Sequence, residues 1–206
     1  MVYQWVNKLQ NAIFPHHCRL CLAPIDILSH PSLNLCEDCL NDLPWISHHC
    51  QQCARPLPET GGNICGQCQR QPPAFQHCIA LLAYTYPVDQ LIIRIKFSND
   101  LVLSQTLGKL LSDRLQQTVK QWPDLILPVP LHRKRLAERG YNQALELARP
   151  IAAITGIPIK SRLCKRIINT RTQSLLPVKD RRNNLRDAFK VCENIQDAHI
   201  AIIDDV

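Results

Sequence analysis

The chain has 206 residues, 46% of them apolar, which suits one ordinary domain plus a small module and excludes a disordered chain. The formal charge is +7, so an anionic partner fits better than a cationic one. No apolar run approaches the ~18 residues of a spanning helix, and the start MVYQWVNKLQNAIF lacks the basic-then-apolar order of a secretion signal. We therefore expect a cytoplasmic protein without a membrane span.

In residues 1–15, Trp5, Leu9, Ala12 and Ile13 recur at helical spacing before Pro15, predicting a short amphipathic helix. Its single base, Lys8, favours a packing role over a membrane surface.

Four C-x-x-C pairs follow: Cys18/Cys21, Cys36/Cys39, Cys50/Cys53 and Cys65/Cys68. Without a secretion signal, this pattern favours metal over disulfides. Each knuckle sets two sulfurs on one tight turn, so two knuckles complete a tetrahedral thiolate site. The intervals of 14 residues (Cys21 to Cys36) and 11 residues (Cys53 to Cys65) are near ribbon lengths, predicting two successive zinc ribbons. Zinc is preferred over redox dithiols or an iron–sulfur cluster, and sequential over crossed pairing of the knuckles. His16, His17, His48 and His49 are alternative ligands that eight thiolates make unnecessary. So small a module has too little apolar mass for its own core, and the expected role of two zinc ions is structural. Thiolate ligands and zinc together would lower the formal charge to about +3.

Trp45, in Leu43-Pro44-Trp45-Ile46, is expected to plug the space between the ribbons rather than stack on a base. Pro72-Pro73 marks the expected boundary, giving a helix and double ribbon over 1–72 and a second domain over 73–206.

In that second part, Cys78–Tyr86 reads as a strand and Val88–Phe97 as a short helix with Leu91, Ile92 and Ile95 inward. Leu103, Leu107, Leu110, Leu111, Leu115 and Val119 mark an amphipathic helix capped by Ser98 or Asn99. Leu125–Val129 is a buried strand. The text PVPLHRKRLAERGYNQA then reads as a cationic loop, Gly140 and a helix through Leu145, Ala148 and Ile151, kinked at Pro150 and closed by Gly156. Strand, cationic loop and helix N-terminus together form an anion cradle.

Ile157–Leu163 and Asp187–Val191 read as further strands, separated by a polar stretch rich in arginine. From Arg133 to Lys190 there are 15 Lys/Arg against 4 Asp/Glu. Such a run is either a solvated face or an anion-binding segment. Cys78, Cys164 and Cys192, outside the knuckles, are expected to be buried small hydrophobes. The final run, Ile200-Ala201-Ile202-Ile203-Asp204-Asp205-Val206, is a buried parallel strand with two carboxylates at its C-terminal tip, where open α/β sheets bind ligands.

An apolar strand ending in an acidic pair resembles the phosphoribosyl-pyrophosphate signature of type I phosphoribosyltransferases. The text from Pro128 to Ala144, together with the cysteine-rich start, resembles the ComF family of competence-associated, phosphoribosyltransferase-like proteins, essentially from Phe14 onwards. The resemblance implies an α/β, Rossmann-like parallel sheet of the type I phosphoribosyltransferase kind, preceded by the zinc-ribbon module. It implies that Asp204 and Asp205 hold the ribose hydroxyls and, indirectly, Mg²⁺. Arg133, Lys134, Arg135 and Arg139, with Tyr141 and Asn142 beside them, would meet the pyrophosphate. Arg171, Thr172 and Gln173 would belong to a mobile closing loop. The partners implied are a sugar phosphate, single-stranded DNA and DNA-uptake proteins. The family's 5′-phosphate loop follows the acidic pair, whereas this sequence stops at Val206; the expected fold is therefore incomplete and its catalysis absent or weak. The alternative is a zinc-ribbon adaptor that binds single-stranded DNA without transferase activity.

Overall fold

The computed structural model describes residues 16–25, 33–170, 177 and 183–206. The expected helix over 1–15, and Arg171, Thr172 and Gln173, lie outside the described residues. The chain divides into two compact units, Met1–Ile93 and Arg94–Val206. That division falls further along the chain than Pro72-Pro73.

The first unit is built from one motif used twice. The text His-His-Cys-x-x-Cys-x-x-Pro occurs at His16–Pro24 and again at His48–Pro56. Each copy closes through the same hydrogen bonds, Cys18 N to Ala23 O and Leu22 N to Cys18 O in one, Cys50 N to Arg55 O and Ala54 N to Cys50 O in the other. The turn forces a non-glycine residue to positive φ in both, 65° at Leu22 and 59° at Ala54. Each motif is completed by a one-turn helix that begins after a cysteine: α1 (Glu37–Asn41) after Cys36 and α2 (Gly66–Arg70) after Cys65.

Leu35, Leu43 and Ile46 are buried in this unit, but Trp45 is 43% exposed. Its indole instead donates to Leu40 O at the end of α1, 2.8 Å away. Leu43 and Ile46 are buried where Trp45 is not, and the exposed indole keeps a polar partner for its N–H. Nor is Cys78–Tyr86 a strand: it contributes one bridge, Leu82 to Trp45, beside bonds from Ile46 N and Ala83 N. Pro44, on the partner segment, has no N–H to extend the ladder.

Helix α3 (Val88–Phe97) straddles the division, with Leu91, Ile92 and Ile95 buried as expected. Helix α4 (Leu101–Thr118) is capped by neither Ser98 nor Asn99 but by Asp100, whose carboxylate accepts from Leu103 N. The second unit's framework is α4 packed on α6 (Gln143–Thr155) over the parallel pair β1 (Leu125–Pro128) and β4 (Ile200–Ile203). Ile126, Ala148, Ile151 and Ile157 form the buried centre, with Leu111, Leu115 and Ile203 against them. A side chain at Gly108 would stand 2.6 Å from Leu147 O, so the missing Cβ is what lets the two helices approach. Pro150 is inside α6, and Gly156 closes it at φ 74°.

Four stretches depart from expectation here. The stretch after β1 is not a cationic loop: Arg133–Arg139 is helix α5, begun by His132, whose ring accepts from Lys134 N, and ended by Gly140 at φ 81°. Ile157–Leu163 gives only a parallel bridge from Ile159 to Ile126, since Pro158 lacks an N–H and the chain turns away after Lys160. The strand that follows is β2 (Cys164–Arg166), antiparallel to β3 (Phe189–Val191). Finally, β4 is parallel as expected but not buried: Ile202 is 66% exposed, because among the described strands β4 is paired along β1 alone. Of the three lone cysteines, Cys164 is buried, Cys78 half-buried and Cys192 exposed, so Cys192 is no core residue. Among the described residues no helix is long and apolar enough to cross a membrane.

Candidate metal centres and carboxylate site

The eight knuckle cysteines converge as two groups, Cys18/Cys21/Cys36/Cys39 and Cys50/Cys53/Cys65/Cys68, with all sulfurs of a group within 4.8 Å of one another. The knuckles therefore pair sequentially. The Cys21–Cys36 and Cys53–Cys65 sulfurs stand 3.6 and 3.8 Å apart. Four thiolates about 2.3 Å from a tetrahedral Zn²⁺ would be ~3.8 Å from each other, so the donor set fits that ion.

The electrostatics point the same way. Burial opposes ionisation of Cys18, yet N–H groups of Cys21, Cys36 and Leu20 outweigh it and bring the thiol down to about 6. Cys50 also falls to about 6, chiefly through the Cys65 N–H and against burial. Their neighbours behave oppositely: burial, then adjacent sulfurs, push Cys39 and Cys68 up. Four sulfurs this close ionise together only around a cation. His48 and His49 face backbone oxygens of Leu57 and Ser47, and no histidine joins either group among the described residues.

The second site is the tip of β4. Asp204 is exposed at the strand's end, but its carboxyl is crowded by protein and pushed up to about 7. Burial is the main cause, then the Asp205 charge and its side-chain hydrogen bond; the Asp205 N–H and Lys96 oppose them. The Asp205 side chain is only 6% exposed and meets Lys96 Nζ at 2.6 Å.

Arg166, in β2, is tied to the segment after β1 by a bridge to His132. Burial and then Arg135 lower its pKa, while Asp204 raises it, which places both groups within its field. Thr170, buried, holds this pair together: its carbonyl accepts from Arg135 at 3.0 Å and its hydroxyl from Arg166. Arg166 also stacks over Phe189.

The remaining expected residues have partners of their own in the second unit. Arg139 stacks over the Phe97 ring at 5.7 Å and bonds Gln143. Tyr141 donates to Ile95 O, and burial raises its pKa. Asn142 caps α6 through Ala144 N and reaches back to Val129 O, locking the α5–α6 turn onto β1. Arg133, Tyr141 and Asn142 line a cleft of about 730 Å³ together with Arg149, Arg162 and Arg166. Lys134 is exposed on α5. Sequence reasoning missed Lys96, Arg166 and Thr170. Nothing in the text near them marks a site; only the path of the chain brings them to the acidic pair.

Two tetracysteine groups on repeated ribbon turns, ahead of a small parallel sheet, define a double-zinc-ribbon protein, and residues 9–69 match the double zinc ribbon domain family. The chain is 32% identical over 197 residues to DNA utilization protein YhgH of Salmonella typhimurium, covering 93% of this chain and 85% of that protein. It is 30% identical over 200 residues to competence protein F of Haemophilus influenzae, covering 94% and 85%. Competence protein ComFC of Bacillus subtilis is 29% identical over 131 residues, 59% of this chain and 52% of ComFC. The chain belongs to the ComF family, whose members include competence protein F and YhgH.

Proposed function

We propose that the β4 tip binds a phosphorylated pentose, phosphoribosyl pyrophosphate with Mg²⁺ or a close relative, in a phosphoribosyltransferase-like protein associated with DNA uptake. The reading rests on one observation: two adjacent carboxylates at the C-terminal end of a parallel strand, with Lys96 paired to Asp205 and Arg166 within the field of Asp204. The β1–β4 pair flanked by Ile159 is read as part of a Rossmann-like sheet over 73–206, with the two zinc ions structural in 1–72 and the whole cytoplasmic.

In this reading Asp204 and Asp205 accept hydrogen bonds from the ribose hydroxyls. Arg135 and Arg166, with Arg133, Lys134 and Arg139 on or beside α5, face the pyrophosphate. Transfer of the pentose passes through an oxocarbenium-like state, so no protein nucleophile is required. The work is to orient the ring and neutralise the charge that grows on the departing pyrophosphate. Mg²⁺ arrives with the ligand and supplies part of that neutralisation.

The names of the relatives favour a second reading, in which the chain handles single-stranded DNA through the ribbons and the basic segment without transferring a pentose. Titration separates the two. Sugar-phosphate binding should require Mg²⁺ and be lost in Asp204→Asn with Asp205→Asn. DNA binding through phosphates should survive those changes and weaken steeply as salt is raised. Magnesium-independent, salt-sensitive binding of DNA alone would reject the first reading.

A further inference from the structure

Three consecutive residues at the end of α3 each contact a part of the second unit distant in sequence. Tyr141 donates to the Ile95 carbonyl, Lys96 meets Asp205 at 2.6 Å, and Arg139 stacks over Phe97. Of this segment, Lys96 is the residue that carries charge to the acidic tip.

The pairing is unusual in what it leaves unsatisfied. Asp205 Oδ2 is buried and, among the described residues, receives no aligned hydrogen bond, so the close ammonium is its compensation. The Lys96 side chain, 25% exposed, keeps a path towards solvent. Removing one partner of a buried ion pair is costly because it strands the other charge, whereas exchanging both partners at once need not be.

We propose that Lys96 is a displaceable counter-ion that makes the β4 tip select ligands carrying a vicinal diol and a phosphate together. This rests on the sugar-phosphate reading above and adds to it a rule of selection. A diol alone must push Nζ off Asp205 and leave the ammonium without an anion. A phosphate alone draws Nζ away and leaves Asp205 without a donor. A ligand with both exchanges one ion pair for two compensated contacts, hydroxyl on Asp205 and phosphate on Lys96. Lys96 is on this account a specificity residue, and Asp205 is held ready by a group that leaves as the ligand arrives.

The test measures, by calorimetry on the full chain, the affinities of phosphoribosyl pyrophosphate (diol and phosphate), inorganic pyrophosphate (phosphate alone) and ribose (diol alone), all with Mg²⁺. The wild type should prefer phosphoribosyl pyrophosphate over pyrophosphate by about a hundredfold or more, the size of a broken buried pair. Lys96→Met, which leaves Asp205 unpaired from the start, should tighten ribose and narrow the gap between phosphoribosyl pyrophosphate and ribose by about tenfold or more, while Lys96→Arg should keep most of that gap. An unchanged gap between phosphoribosyl pyrophosphate and ribose in Lys96→Met would overturn the inference while leaving the site reading intact. No binding of phosphoribosyl pyrophosphate by the wild type would instead remove the site reading, and the inference with it. Where Lys96→Met alone does not fold, the comparison is Asp205→Asn with and without Lys96→Met, since the double variant carries neither charge. The two should then show the same preference. A further tenfold loss on adding Lys96→Met would mean that Lys96 acts independently of Asp205, contrary to the proposal.

Discussion

Asp204 is the residue on which acid–base behaviour should turn. Its carboxyl is pushed up to about 7 by burial and by Asp205, so the folded chain prefers it neutral while the unfolded chain titrates it near 4. Stability contributed by the neutral group is therefore complete below the unfolded value and lost as pH rises through about 7. Thiolate protonation at the ribbons has the opposite dependence, because ligand sulfurs must lose their protons to hold metal. The two are separated by comparing thermal melts of the wild type and Asp204→Asn across pH. The variant should gain on the wild type between pH ~4 and ~7 and run parallel to it above. Curves parallel throughout would show that the carboxyl is not perturbed.

The same scale shows what the text could and could not reveal. Asp204 and Asp205 were legible because an acidic pair after an unbroken apolar run has few structural uses. Arg166 was not, since it is one base among many, and its place follows from a single bridge to His132. Lys96 is hidden for a different reason. It sits in an ordinary amphipathic helix, and its partner, Asp205, lies at the far end of the sequence.

At the scale of elements, the helices with an apolar stripe were readable and the short or exposed ones were not. α4 and α6 announce themselves through residues three and four apart. α5 has no buried residue, so periodicity is silent; its existence depends on the His132 cap and the left-handed Gly140. The ribbon repeat is also written in the text, as two copies of His-His-Cys-x-x-Cys-x-x-Pro. Strand bounds over 78–86 and 157–163 failed where Pro44 and Pro158 remove ladder donors. The α4–α6 seam gives the sharpest test of the fold. Gly108→Ala puts a methyl against Leu147 O and Pro150, and chemical denaturation should show a loss of about 1–3 kcal/mol. An unchanged midpoint would mean that the two helices are not this close.

At the scale of the whole molecule, the two units rely on different physics. In the first, cysteines are themselves core residues: Cys50, Cys65 and Cys68 form a buried cluster with Cys53 and Leu57 beside it. Metal binding there is folding energy, on the order of 10 kcal/mol per structural zinc at neutral pH. Metal analysis should find two zinc ions per chain, and chelation should unfold the first unit. The second unit, whose core is Ile126, Ala148, Ile151 and Ile157, should keep its helical signal. Loss of all helical signal on chelation would show that the second unit has no stability of its own.

The central claim is that the acidic tip of β4 and the cations around it form one pocket for a sugar phosphate. The measurement that addresses it most directly is a crystal structure of the chain with Mg²⁺ and phosphoribosyl pyrophosphate. We expect ribose hydroxyls on Asp204 and Asp205, pyrophosphate towards Arg135 and Arg166, and Lys96 moved from Asp205 onto a phosphate. A ligand seated elsewhere, with the Lys96–Asp205 pair intact, would contradict it.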